Sequence, residues 1–172
     1  MNYILRYTVL FAVAIALQLF LFDSLNLGAY VHPLFYIVFI VLLPMNLRGF
    51  WLLVLGLLLG VTMDVATGSA GLHTIATLAV AYSRRFVLNI IIGREYVNEG
   101  GVPSPKSIGS DKFLRYAAIV VFLQCTIFFA FEAMNWHYFY LVALKIALSG
   151  ALTLLFVWLT ALLFTARERK KI

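Results

Sequence analysis

The chain has 172 residues, of which 64% are hydrophobic and only 12% charged, and its formal net charge is +6. Soluble domains are nearer half apolar, so this composition excludes a soluble protein and indicates an integral membrane protein. Cys125 is the only cysteine, which excludes an intrachain disulfide and a paired-cysteine metal site.

Six apolar segments follow one another along the sequence and predict an all-α fold, a polytopic bundle of six transmembrane helices. They cover residues 4–22, 34–45, 50–66, 72–83, 113–131 and 138–164. Segments 34–45 and 72–83 contain about twelve residues each, roughly 18 Å of helix against a hydrocarbon core of roughly 30 Å. Either flanking residues such as Arg48, Arg84 and Arg85 extend to the membrane surface, or the two segments do not cross fully. We predict that both cross, because otherwise the basic loops downstream would lie on the wrong side of the membrane.

The distribution of basic residues predicts which side of the membrane each loop faces. Short cytoplasmic loops are enriched in Lys and Arg. With the amino terminus inside, every Lys and Arg except Lys145 falls on an inner segment of the six-crossing arrangement. This predicts two cytoplasmic termini and an inner-leaflet basic rim that faces anionic lipid rather than nucleic acid. The rim comprises Arg48, Arg84, Arg85, Arg167, Arg169, Lys170 and Lys171.

The chain is expected to form a single integral membrane domain over residues 1–172. The connection 93–112 contains Pro-Ser and Ser-Pro steps and lacks apolar periodicity, which predicts a mobile cytoplasmic loop. A phosphorylation or docking role for it stays open. Residues 165–172 are predicted to form a basic cytoplasmic tail.

Small residues mark one face of the third segment. Gly56, Gly60 and Asp64 recur at four-residue steps and therefore lie on one stripe of a helix. Glycines at this spacing let a neighbouring helix approach closely. The sequence leaves open whether this groove receives an internal helix or the membrane helix of a partner.

A second set of polar residues lies within the apolar segments. Lys145 is about seven residues below the expected outer interface, roughly 10 Å deep, where an unpaired ammonium is costly. Its candidate partners are Glu132, across a short turn, and Asp64. We predict an outer polar cluster that fixes helix register through an ion pair or triad, or alternatively binds a ligand; its members are Asp64, Gln124, Glu132 and Lys145.

The sequence contains no recognisable catalytic set. Paired acids, histidines at metal-ligand spacing and Ser-Lys or Ser-His arrangements are not evident, and the three histidines are dispersed. The protein is therefore predicted not to be an enzyme and to need no cofactor or metal.

Residues 44–85 combine several features in order. They are an apolar helix capped by Arg48, the Gly56–Gly60 step, Asp64, a glycine-rich turn, the Gly-Leu-His step at 71–73, and an alanine-rich helix ending in Arg84 and Arg85. This order resembles the central signature of the MreD family, small membrane subunits of the bacterial rod-shape system. The resemblance implies a six-helix bundle similar to the substrate-binding subunits of energy-coupling vitamin transporters.

The same resemblance implies a scaffold or regulatory subunit of the cell-wall elongation complex, in the bacterial cytoplasmic (inner) membrane. The implied partner is MreC, through its membrane helix and nearby periplasmic part, so that peptidoglycan synthesis is controlled. RodA and its transpeptidase are further expected partners, and MreB is an indirect one. The alternative is a small-molecule (vitamin-type) binding subunit of a transporter, with an outer cavity to which Trp136 and His137 could contribute.

Overall fold

A computed structural model describes residues 3–22, 32–133 and 139–166, and this part of the chain is helical, without strands. Helix α1 continues into a π-helical stretch, Gln18–Phe22, and α2 is preceded by a 3-10 turn, Phe35–Ile37. The α-helices are α1 (Tyr3–Leu17), α2 (Val38–Leu42), α3 (Gly49–Thr67), α4 (Leu72–Ile91), α5 (Arg94–Glu99), α6 (Pro105–Ile108), α7 (Ser110–Ala133) and α8 (Phe139–Ala166).

Four helices of the described chain, α3, α4, α7 and α8, are long and apolar enough to cross a membrane. Helix α1 contributes a shorter apolar stretch, Leu5–Phe20. The protein is therefore a multi-pass membrane protein. Helix α4 has 20 residues, so the prediction of a twelve-residue segment ending at Ser83 is wrong. The helix runs past Arg84 and Arg85 because apolar residues resume at Phe86.

The second predicted crossing is not a full-length helix. The 3-10 turn and α2 together run from Phe35 to Leu42, roughly 13 Å of helix, less than half of a hydrocarbon core. Yet every residue from Leu34 to Leu43 is at most 4% exposed. This short helix is the centre of the bundle.

Helices α1 and α8 pack against α2 and its 3-10 turn, and α4 and α7 reach α2 through Arg84 and Tyr116. Helix α3 packs on α4, α4 on α7, and α7 on α8, while α1 packs against the 3-10 turn and α2. Exposed basic residues gather where α3 and α7 begin and α4 ends, and we call this the basic end; they are Arg48, Arg85, Arg94, Lys106, Lys112 and Arg115. The opposite end carries the α3–α4 turn and the last residues of α7.

The segment expected to be a mobile loop, 93–112, is instead folded. Ser104 and Ser107 form a reciprocal capping box at the start of α6. The amide of Met45 donates to the carbonyl of Gly101 at 2.9 Å, and Val97 and Ile108 are buried. The segment closes the basic end of the bundle, and its apolar anchors are too widely spaced to give a periodic signal.

Candidate functional site

Side chains form hydrogen bonds with the backbone at both ends of the short helical stretch that contains α2. A helix end inside a membrane has no water to satisfy its backbone groups, so side chains must do so. At the amino end, the Gln18 side-chain oxygen accepts from the amide of Phe35 at 2.6 Å. The Thr153 hydroxyl accepts from the amide of Leu34 at 3.0 Å, and the Ser149 hydroxyl from that of His32 at 2.9 Å.

Arg84 and Tyr116 satisfy the carboxyl end of α2. The Arg84 guanidinium donates to the carbonyl of Leu43 at 2.5 Å, to that of Pro44 at 3.3 Å and to that of Val41 at 3.5 Å. Its Nε donates to the Tyr116 hydroxyl at 2.8 Å, which itself donates to Val41 O at 3.1 Å. The positive charge also lies at the negative end of the helix dipole.

This arrangement corrects the predicted basic rim. Arg84 is only 1% exposed and lies inside the bundle, whereas Arg48 and Arg85 are exposed as predicted. The other predicted rim residues, Arg167, Arg169, Lys170 and Lys171, lie outside the described residues.

A further polar network connects the 3-10 turn before α2 with α4 and α7. The Tyr36 hydroxyl lies 2.9 Å from His73 Nδ1 and accepts from Gln124 Nε2 at 2.7 Å. All three side chains are buried. Gln124 Oε1 has no hydrogen-bond partner among the described residues. Sequence reasoning missed the central position of Tyr36 in this network.

Asp64 caps the amino end of α4. Its carboxylate accepts from the amides of His73 and Thr74 at 3.0 and 2.9 Å, and from the hydroxyls of Ser69 and Thr74 at 2.7 and 2.5 Å. These four hydrogen-bond donors offset the cost of burying the carboxylate near the end of the apolar helix α3. The carboxylate therefore joins the two helices of the α3–α4 hairpin.

The glycine groove on α3 is filled from within the chain. A Cβ added at Gly60 would lie 2.5 Å from the Cα of Thr74, and one at Gly56 would lie 2.9 Å from the Cβ of Ala81. Both neighbours belong to α4. The groove receives an internal helix, so the alternative of a partner helix at Gly56 and Gly60 is wrong.

The predicted outer polar cluster separates into independent parts. Lys145 Nζ lies 3.6 Å from Glu132 Oε2, which confirms that pair. The side chains are 31% and 43% exposed, so the pair lies at the surface of the bundle rather than in its interior. Asp64 accepts hydrogen bonds from the amino end of α4, and Gln124 donates to Tyr36. Asp64 therefore does not join the Glu132–Lys145 pair, and the prediction of a triad is wrong.

A cavity of about 540 Å³ opens at the end opposite the basic residues. The imidazoles of His32 and His73 and the carboxylate of Glu132 line it together with the ring of Phe128. Two hydroxyl-bearing residues of the α3–α4 turn, Thr67 and Ser69, complete its polar wall. Trp136 and His137, which were expected to contribute to such a cavity, lie outside the described residues.

Within the described residues, no group of three or more His, Cys, Asp or Glu side chains is placed to hold a metal ion. Comparison with known protein families, with curated proteins and with solved structures finds no match. The arrangement itself is therefore the basis for a functional proposal.

Proposed function

We propose that this protein is a membrane scaffold of the bacterial cell-wall elongation complex that binds MreC and so helps to control peptidoglycan synthesis. The proposal rests on one observation: polar side chains inside the bundle bind backbone groups of the same chain. Gln18, Asp64 and Arg84 are all bound to backbone groups, and each joins separate parts of the chain. Polar groups used to fix architecture suit a protein that presents a rigid surface to partners.

The stretch that resembles MreD supplies part of this architecture. Gly60 brings α3 against α4, Asp64 caps α4, and Arg84 holds α2 in place. The residues that carry the resemblance thus act as one structural unit. A stretch that fixes the architecture in this way fits the proposed scaffold.

The proposed topology has six passages, with the basic end and both termini in the cytoplasm. Exposed arginines and lysines at one end support this orientation through the positive-inside rule. The chain from residue 32 to residue 48 would then make its passage through the short helix α2 and extended flanks. Contact with the membrane helix of MreC is proposed on the membrane-facing helices. The periplasmic part of MreC would then address RodA and its transpeptidase, and MreB would be contacted indirectly.

Purification from a bacterial membrane in mild detergent tests the scaffold. The expected result is a stoichiometric single-span partner. Single cysteines at Val9 on α1, Leu57 on α3 and Leu144 on α8, in a Cys125→Ser background, then locate the partner helix by crosslinking, because each side chain is exposed. Purification of the protein alone, with no crosslink at any of the three positions in intact cells, would contradict the proposal.

A small-molecule binding subunit of a transporter is the second candidate, and the 540 Å³ cavity favours it. This volume lies within the range of small-ligand pockets, and the cavity combines an aromatic face with hydroxyl, imidazole and carboxylate groups. Mass spectrometry of small molecules released from the purified protein tests this function. A bound compound that is lost in Phe128→Trp, a change that fills the cavity, would favour the transporter subunit over the scaffold.

A further inference from the structure

The chemistry of the cavity opposite the basic end restricts the kind of ligand that it can hold. Its volume is about 540 Å³, and two parts of the fold contribute to its polar wall. Glu132 lies near the end of α7, and Thr67 and Ser69 come from the α3–α4 turn. Apolar surface is supplied by three further residues, Ala66, Leu72 and Phe128. One ligand can therefore meet both polar groups and apolar surface here.

The hydroxyl protons of the α3–α4 turn are used inside the chain. The Ser69 hydroxyl donates to the Asp64 carboxylate at 2.7 Å, because an ionised carboxylate can only accept. The Thr67 hydroxyl has one proton and two acceptors nearby, the carbonyl of Met63 and the Ser69 hydroxyl, each at 2.8 Å. Either of them takes that proton. Towards the cavity, both hydroxyl oxygens therefore offer lone pairs and no proton.

Glu132 adds a carboxylate with spare acceptor capacity. Its Oε2 lies 3.6 Å from Lys145 Nζ, which is longer than the roughly 2.8 Å of a charge-assisted hydrogen bond. An ionised carboxylate has about four acceptor sites, so this loose pair leaves most of them open. The side chain of Glu132 is 43% exposed, so a ligand can reach it. Lys145 itself lies outside the lining of the cavity.

The charged groups beside the cavity carry a net negative charge. Asp64 and Glu132 are acids, and Lys145 is the base that pairs with Glu132. The imidazoles of His32 and His73 also line the cavity, and a neutral imidazole can both donate and accept. Negative charge and hydrogen-bond acceptors thus dominate the polar wall.

We propose that this cavity binds a small aliphatic amine in its protonated form. An ammonium group has three donors and no acceptor, which complements a wall of carboxylate and hydroxyl oxygens. The methylene groups of the amine would pack on Leu72 and the ring of Phe128, and an aromatic ring also attracts a cation. A cavity of this size suits a whole small molecule rather than one lysine side chain of a partner. The proposal rests on the second candidate function, whose ligand class it names, and it does not depend on the scaffold.

Thermal unfolding of the purified full chain tests the site, with putrescine, a four-carbon diamine, as the probe. The butanediol of equal length is its uncharged analogue. A ligand that binds only the folded protein raises the melting temperature as its concentration exceeds the dissociation constant. Putrescine should raise the melting temperature, and the diol should not. The concentration dependence of this rise gives an apparent dissociation constant for each variant.

Three substitutions separate binding in the cavity from general charge screening. Glu132→Gln should weaken putrescine binding about tenfold, since a charge-assisted contact is lost. Lys145→Ala should strengthen it roughly threefold, because the base that competes for Glu132 is removed. Glu99→Gln is the matched control, because Glu99 is an exposed glutamate of α5 at the basic end, and it should leave binding unchanged. An ion pair with only a structural role would make Glu132→Gln and Lys145→Ala change binding in the same direction.

Phe128→Trp keeps the test decisive if Glu132→Gln folds poorly. It fills the cavity without touching the carboxylate and should abolish the effect of putrescine. The proposal is overturned if putrescine and the diol stabilise the parent equally, if Lys145→Ala weakens binding, if Glu99→Gln weakens it as much as Glu132→Gln, or if Phe128→Trp binds like the parent.

Mass spectrometry of compounds released from the purified protein distinguishes failure of this proposal from failure of the binding function. A released acid or neutral compound, with no effect of putrescine, would overturn the amine and keep the small-molecule binding subunit. No released compound and no effect of putrescine would reject both.

Discussion

Arg84 of α4 and Tyr116 of α7 meet at the carboxyl end of α2, where Arg84 Nε donates to the Tyr116 hydroxyl at 2.8 Å. Both side chains are fully buried, and both donate to the carbonyl of Val41. The pair joins two long helices to the short one between them. It therefore explains how an eight-residue helical stretch can lie in the middle of a membrane bundle.

Arg84→Leu should destabilise the protein strongly. The change leaves the carbonyls of Leu43 and Pro44 without their donor, and each buried unsatisfied group costs about 1 to 3 kcal/mol. A loss of about 3 kcal/mol or more is expected in detergent unfolding, seen also as a lower melting temperature. Arg85→Leu removes the same charge from an exposed position and should change stability by less than about 0.5 kcal/mol.

Combining Arg84→Leu with Tyr116→Phe tests the coupling of the two residues. Because they share a hydrogen bond and an acceptor, the double variant should lose about 1 kcal/mol less than the sum of the single changes. Strict additivity would mean that the two side chains act on α2 independently.

Gly60→Ala should separate the α3–α4 hairpin. The new methyl group would lie 2.5 Å from the Cα of Thr74, and a backbone atom cannot move aside as a side chain can. We expect a loss of roughly 1 to 3 kcal/mol, as for other overpacked sites. Gly49→Ala is the control, because no atom lies within 4 Å of its added Cβ. Equal melting temperatures for the two variants would contradict the close approach.

Some of this architecture could be predicted from sequence and some could not. The Glu132–Lys145 pair was predictable, because two opposite charges flank one short connection. The four-residue spacing of Gly56 and Gly60 also indicated a close helix contact, but it did not indicate which helix makes that contact. Arg84 was misassigned, because an arginine doublet late in an apolar segment looks the same whether it reaches the surface or turns inward. Arg84 turns inward because α2 is short. The carbonyls at its carboxyl end lie inside the bundle and require a hydrogen-bond donor.

The ion pair at the surface of the bundle should contribute little. Lys145 Nζ and Glu132 Oε2 are 3.6 Å apart and both side chains are partly exposed, so their coupling energy in a double-mutant cycle of Lys145→Ala and Glu132→Gln should be about 1 kcal/mol or less. Lys145→Ala combined with Asp64→Asn should be additive, because Asp64 is bonded to Ser69 and Thr74 instead. Asp64→Asn alone should cost more than Lys145→Ala, since it disturbs the cap of α4. A coupling between Asp64 and Lys145 of more than about 1 kcal/mol would restore the predicted triad.

The last prediction concerns the passage of the chain through α2. His32 and Arg48 are exposed at opposite ends of the bundle, although the helix between them is far too short to cross a membrane alone. Single cysteines at His32 and Arg48, in a Cys125→Ser background, should therefore react from opposite sides with an impermeant maleimide. His32→Cys should label in intact spheroplasts, and Arg48→Cys only after lysis, because the basic end is expected to be cytoplasmic. Ala70→Cys in the α3–α4 turn and Lys106→Cys on α6 are matched references for the two ends, since both residues are exposed. The parent with Cys125 alone should label from neither side, as its thiol is buried. If His32→Cys and Arg48→Cys label from the same side, residues 32–48 form a re-entrant segment rather than a passage, and the six-passage topology fails.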